Sequence, residues 1–360
     1  MHVGLIGGSG FGRQHLAAMQ ASPHVSAVSL AGRSPERLAA LQAEFPKVVR
    51  TTVQYQELLA DPEIALLDLV VPHDLHLPLA LEALRCGKHL LLEKPPARTT
   101  AEFRQILTAA EAADRRVLPV LNLLYSPTHQ AARQVVDSGA VGEPFLALEV
   151  AARDARAVYA DPENWRADRE RCGGGLQIDG GFHAVYRQLF FLERLGAPVS
   201  VLADAAQIGI DSPEKGEDFC ALTLAYGGGA RIHLMSQWTA RAPLGRFPSG
   251  ILGTEGTLLF TGDAARPLVL RRPGKEDAAV PVEEGPEGFE QTVRVNLAHL
   301  LECAATGAAV WAGSDLAMLT LEIITAAYRS AEEGRRIALT GSFRTRFPEA
   351  IAVVSPGDHS

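Results

Sequence analysis

HVGLIGGSGFGRQHLAAM (residues 2–19) is the stretch that decides the fold. An apolar run, Val3 to Ile6, leads into Gly7, Gly8, Ser9, Gly10, Phe11 and Gly12, and a segment of helical spacing with Leu16 and Met19 follows. Strand, glycine turn and helix in that order make the seat of a dinucleotide pyrophosphate. Gly7 permits the tight turn, and Gly12 lets the helix lie close to the sheet. The helix amino terminus offers N–H groups and a partial positive charge to phosphate. Ser9 stands where the usual pattern has its middle glycine, with Gly8 and Gly10 on either side still allowing close backbone approach. Residues 7–12 are therefore the expected cofactor turn.

The pattern continues outward. Short runs rich in Val, Ile and Leu at 2–7, 25–31, 64–71, 88–92 and 117–122 alternate with helically spaced segments, the signature of a parallel sheet covered on both faces. Ser34-Pro35, Thr99 with Glu102, and Ser126-Pro127 read as helix starts, and Gly87 and Gly139 as helix ends. Beyond about residue 143 the rhythm changes. A helix is expected over 175–194, strands over 199–209, 217–226 and 230–238, and shorter strands near 250–252, 256–260 and 267–271. AYGGGA (225–230) reads as a hairpin turn, and helices over 288–306 and 315–333 follow. The expected organisation is α/β: a Rossmann domain with a parallel sheet over 1–122, a substrate-binding and oligomerisation α/β domain with an open, mostly antiparallel sheet over 123–345, and a tail over 346–360.

Composition narrows the function classes. The chain has 360 residues, 47% apolar and 21% charged, with a net charge of −8, enough for two cores. No Lys/Arg-rich run points to nucleic acid, and no apolar run approaches the roughly 18–20 residues that span a bilayer. The amino terminus lacks the marks of a signal peptide. Cys86, Cys172, Cys220 and Cys303 are scattered and read as reduced thiols of a cytoplasmic protein.

An acidic residue about 20 positions past the last glycine would hold the adenine ribose of NAD. Gly32 stands there, followed by Arg33 and Ser34. Loss of the carboxylate removes repulsion of a 2′-phosphate, Arg33 supplies a bidentate phosphate donor, and Ser34 adds a hydroxyl to the phosphate site. NADP(H) is expected over NAD(H). The alternative is that Arg33 stacks on adenine and Ser34 only caps a helix.

Three further stretches, PHDLH (72–76), GKHLLLEKPPA (87–97) and GGGLQIDGGFH (173–183), together with AAYRSAEEGRRIAL (326–339), resemble the Gfo/Idh/MocA oxidoreductases over residues 3 to about 340. The resemblance implies a hydride-transferring enzyme acting on a secondary hydroxyl or carbonyl of a sugar, inositol or related polyol, built as a homodimer or homotetramer on its second sheet. It implies that Lys94 orients substrate and nicotinamide ribose and stabilises alkoxide, with Glu93 as its buttress. His183 is then the proton acceptor, its ordinary pKa lying near working pH, and Asp179, four residues before it on one helix face, binds substrate and tunes the site. Pro72 and His76 fall beside the nicotinamide, and Asn122, Trp165 and Arg166 in the substrate pocket, with Arg153, Tyr159 and Gln237 as weaker candidates. His73, Asp74 and His76 complete no ligand set, so no metal is expected. The family's arginine two residues past Asn122 is Leu124 here, and its aspartate three past the motif histidine is Tyr186. Two other readings share the fold: a catalytically inactive nicotinamide-binding regulator, and an NAD-dependent glycosidase.

Overall fold

The computed structural model describes residues 1–241, 249–285 and 287–339. The expected tail over 346–360 lies outside them. The backbone forms two compact units, residues 1–122 with 288–318, and residues 123–287 with those from 319 onward.

In the first unit the strands are β1 (His2–Ile6), β2 (Ala27–Ala31), β3 (Val48–Thr52), β4 (Ile64–Leu69), β5 (His89–Leu92) and β6 (Val117–Pro119), and the helices between them are α1 (Gly12–Ala21), α2 (Pro35–Glu44), α3 (Gln56–Ala60), α4 (His76–Arg85) and α5 (Thr100–Ala112). All pairings are parallel, in the order β3-β2-β1-β4-β5-β6. The strand order reverses between β1 and β4, the switch point outside which open α/β sheets bind ligands. Ser34 and Thr99 cap α2 and α5 as the sequence predicts, accepting the N–H of Arg37 and Glu102. Gly87, at φ +73°, ends the α4 segment.

The first unit also takes in Gly288–Met318, which the sequence assigns to the second domain. Val293, Leu297, Leu300 and Leu301 of the helix Phe289–Thr306 are buried in one apolar cluster with Leu16, Met19 and Val25. The α1 face is thus covered by chain far away in sequence, which local periodicity cannot reveal.

The second unit begins with α6 (Pro127–Asp137), β7 (Pro144–Ala152), α7 (Arg156–Ala160), α8 (Arg169–Cys172) and α9 (Leu176–Phe191). Strands β8 (Ser200–Ala206), β9 (Phe219–Ala225), β10 (Arg231–Gln237), β11 (Ser249–Gly253), β12 (Thr257–Phe260), β13 (Leu268–Arg271), β14 (Ala278–Ala279) and β15 (Ile337–Ala338) join β7 in one sheet. Its order is β14-β13-β12-β11-β7-β10-β9-β8-β15, antiparallel except for β7 with β10. The turn at 225–230 is the predicted hairpin, closed by Tyr226 N–H donating to the Ala230 carbonyl at 3.0 Å. Strands β3, β7, β14 and β15 lie where the sequence predicts none. β3, VVRTT, is a half-polar edge strand with Val49 exposed, and β7 begins on Pro144 and carries Glu149, so neither reads as an apolar run.

Candidate functional residues in each unit

Because the first sheet is parallel, the turns after β1, β4 and β5 emerge at one carboxyl edge. The glycine turn follows β1. A Cβ on Gly7, at φ +113°, would stand 2.0 Å from the Val70 carbonyl oxygen, and one on Gly12 would stand 1.9 Å from that of Gly7. Both positions exclude side chains, Gly7 for the tight turn as predicted and Gly12 because the turn's own carbonyl lies against the helix start. Gly10, at φ +58°, has nothing within 4 Å of the place a Cβ would occupy. That open side, over a helix whose first turn has no side-chain cap, fits a pyrophosphate. The Phe11 ring meets Phe289 edge to face, centroids 5.5 Å apart.

At the end of β2, Arg33 is exposed. Ser34 Oγ accepts from Arg37 N–H at 3.2 Å and donates to Glu36 Oε2 at 2.9 Å, so this hydroxyl is used in capping α2. After β4, Pro72 precedes the short 3₁₀ turn His73–Leu75. His76 is buried, its Nε2–H donating to the Val71 carbonyl at 3.1 Å, and burial holds its pKa below the usual imidazole range.

Glu93 and Lys94 follow β5. The backbone N–H of Lys94 donates to Glu93 Oε2 at 3.0 Å. Glu93 Oε1 lies 2.9 Å from His15 Nε2, and His15 Nδ1 lies 2.7 Å from Asp68 Oδ2. His15 sits on α1 and Asp68 on β4, both fully buried. Burial alone would lower the His15 pKa; the two flanking carboxylates overcome it and push the value up to about 10. Burial pushes Asp68 up, whereas His15 and Lys94 outweigh burial at Glu93 and bring it down. The sequence analysis missed His15 and Asp68. A carboxylate inside the apolar run LLDLVV (66–71) was the available signal. Asn122, also of this unit, is buried and donates through Nδ2 to Thr292 Oγ1 at 2.9 Å and to the Phe289 carbonyl at 3.4 Å, so its amide ties the chain to a neighbouring helix.

In the second unit α9 carries Asp179 and His183. The glycines before it serve packing: a Cβ on Gly174 would come within 2.2 Å of Tyr328 Oη, and one on Gly175 within 2.2 Å of the Glu217 carbonyl oxygen. In sequence the run reads as backbone that a ligand or cofactor can approach closely, and these contacts correct that reading. Glu217 Oε1 accepts from Gln177 N–H at 2.8 Å and from the Tyr328 hydroxyl at 2.9 Å, anchoring the start of α9. Tyr159 donates its hydroxyl to the Glu217 carbonyl at 3.1 Å, and Gln237 bonds Thr239 at 2.7 Å, so both weaker candidates act within the scaffold.

Asp179 is buried and pairs with Arg166 Nε at 3.2 Å. The Arg166 guanidinium lies 4.4 Å from the Trp165 ring centroid. Arg153 stacks likewise on Trp238, at 4.4 Å. A carboxylate, two guanidiniums and two indoles form a cluster suited to hydroxyl groups on a carbon ring. His183 Nδ1 lies 2.8 Å from the Tyr186 hydroxyl, which accepts the N–H of Leu123 at 3.2 Å. The phenol gives the ring a hydrogen bond without a counter-charge. The structure thus gathers Asp179, Arg166 and Trp165 in one unit, and Glu93, Lys94 and the glycine turn at one sheet edge of the other.

Comparison with known proteins follows the same division. Residues 1–120 match the family described as an oxidoreductase family with an NAD-binding Rossmann fold, and residues 129–259 match the Gfo/Idh/MocA C-terminal domain. The chain is 30% identical to 1,5-anhydro-D-fructose reductase of Ensifer adhaerens over 59% of its own length and 63% of the relative's. It is 26% identical to levoglucosan dehydrogenase of Pseudarthrobacter phenanthrenivorans over 56% of itself and 54% of that protein. It therefore spans less than two thirds of the length of these two relatives. D-apiose dehydrogenase of Paraburkholderia graminis aligns over 98% of this chain and 92% of its own, at 28% identity. Among solved structures, levoglucosan dehydrogenase in complex with NADH and levoglucosan shares the fold with a TM-score of 0.82 at 21% identity, covering 94% of this chain and 99% of that one. With both domain types matched in order over more than half of its residues, the chain belongs to the Gfo/Idh/MocA oxidoreductase family.

Proposed function

We propose that the chain transfers a hydride between NADP(H) and a secondary hydroxyl or carbonyl of a sugar or polyol. The observation that carries this reading is the placement of the Glu93-Lys94 turn and the open glycine turn at one carboxyl edge, on either side of the strand-order reversal. Residues 7–12 would hold the pyrophosphate, Pro72 and His76 would flank the nicotinamide, and the bound nicotinamide would give or accept the hydride. Lys94 orients the substrate hydroxyl and stabilises negative charge on its oxygen. His183 takes the proton released on oxidation and returns it on reduction. Asp179, held by Arg166, accepts a second hydroxyl, and Trp165 offers an apolar face. Asn122, already bonded to Thr292, supports the chain rather than the substrate.

For the cofactor, Arg33 is exposed and Gly32 brings no carboxylate, which supports NADP(H). Ser34 and Glu36 bond each other at the helix start, so Arg33 carries the phosphate preference alone. The exposed Phe145 and Leu202 of the second sheet support assembly as a homodimer or homotetramer through that sheet. Cysteines that form no disulfide among the described residues fit a cytoplasmic setting.

The test is a panel of aldoses, ketoses and inositols read at the nicotinamide absorbance band, with tryptophan-fluorescence titrations of NADPH and NADH alongside. Turnover with at least one sugar, and NADPH binding about tenfold tighter than NADH, are the expected results. Nicotinamide binding without turnover on any sugar would overturn the enzymatic reading, and equal or tighter NADH binding would overturn the cofactor preference.

A further inference from the structure

We infer that Asp68 and His15 are positioning residues for Lys94: a buried carboxylate–imidazolium–carboxylate chain that fixes Glu93 and, through it, the lysine backbone. Each imidazole nitrogen stands within hydrogen-bond distance of a carboxylate oxygen, 2.7 Å on one side and 2.9 Å on the other. Ionised carboxylates only accept, so a doubly protonated ring satisfies both contacts, and a neutral ring would set one lone pair against another. The chain of three groups then carries one net negative charge, next to a residue that carries a positive one.

Stability does not account for this arrangement. Asp68 lies in a central strand, flanked by β1 and β5, and its Oδ1 is buried with no hydrogen-bond partner among the described residues. Burying ions costs more than their pairing readily returns, and an apolar side chain at 68 would fill the strand without that cost. What the network delivers is one placed hydrogen bond, from Lys94 N–H to Glu93 Oε2. The ionisable groups facing His15 are Asp68 and Glu93, and those acting on Glu93 besides His15 are Asp68, Lys94 and His76. The catalytic meaning of the network rests on the role proposed above for Lys94; the electrostatic link does not.

The link is measurable without substrate. The chain has five lysines, at 47, 88, 94, 215 and 275. Reductive methylation with ¹³C-formaldehyde labels each, and Lys94→Arg assigns the resonance of interest. Asp68→Asn keeps the shape of the side chain and removes one end of the chain that holds Glu93, so the Lys94 resonance should move, with the other four unmoved. An unmoved Lys94 resonance in the folded variant overturns the proposal. The unsubstituted protein gives a second reading: with ¹⁵N-labelled histidine, the ring whose signal is lost in His15→Gln should remain doubly protonated at about pH 8. A singly protonated His15 at that pH also overturns it. A Lys94 shift in Asp68→Asn, found together with full turnover in Lys94→Ala, would uphold the positioning link and sink the catalytic role.

Discussion

Lys94 and His183 are held in opposite ways. The lysine follows a carboxylate that is itself gripped by a buried imidazole and a second carboxylate, so its surroundings carry fixed charge. The histidine leans on a phenol, which bonds it without adding charge. The difference teaches a division of labour. The role proposed for Lys94, steadying an alkoxide, needs a fixed place, and the network that grips Glu93 supplies it. The proton carrier proposed at His183 is oriented by the Tyr186 phenol through a neutral hydrogen bond. The family's aspartate three residues past the motif histidine would add a charge there; Tyr186 does not.

Substitutions at Tyr186 probe this contrast on the histidine side. Tyr186→Phe deletes the bond that orients the ring while keeping its packing, and should lower kcat about tenfold with little change in KM. Tyr186→Asp adds the counter-charge. The carboxylate stabilises the imidazolium, the ring gives up its proton at higher pH, and the rise of the oxidation rate with pH should move up by about one unit. A rate profile indifferent to both changes would mean that His183 does not titrate in the reaction, and the contrast would lose its meaning.

A smaller effect marks the lysine side, in stability rather than rate. The folded-state pKa of His15 is raised from 6.5 to about 10. Its contribution is therefore fully present below the unfolded value and is lost as pH rises through the folded one. The urea midpoint should decline between about pH 6.5 and 10, and the decline should be shallower in His15→Gln. An equal decline in both would show that the alkaline loss arises elsewhere.

Much of this was legible from residue patterns alone. Gly7 and Gly12 fall where only glycine fits, because the turn brings carbonyl oxygens within about 2 Å of any Cβ. Ser34 and Thr99 cap helices whose starts local chemistry dictates. The partners of the candidate residues were less visible. Asp68 and Glu93 lie 53 and 78 positions from His15 and meet it only through the folding of the parallel sheet. The glycines at 174 and 175 look like a ligand loop and instead admit Tyr328 and Glu217, a packing demand with no local trace. The segment 288–318 reads as an ordinary amphipathic helix region, and its choice of partner is a tertiary fact.

The central claim is that the ammonium and the imidazole serve one chemical step. Lys94→Ala, His183→Ala and the double variant, assayed for kcat/KM on the sugar that the panel identifies, test it most directly. Each single substitution should cost about 10²–10⁴-fold, and the double should cost little more than the worse of the two, as residues of one catalytic unit do. Near wild-type turnover in either single variant, or losses that simply multiply in the double, would contradict the account.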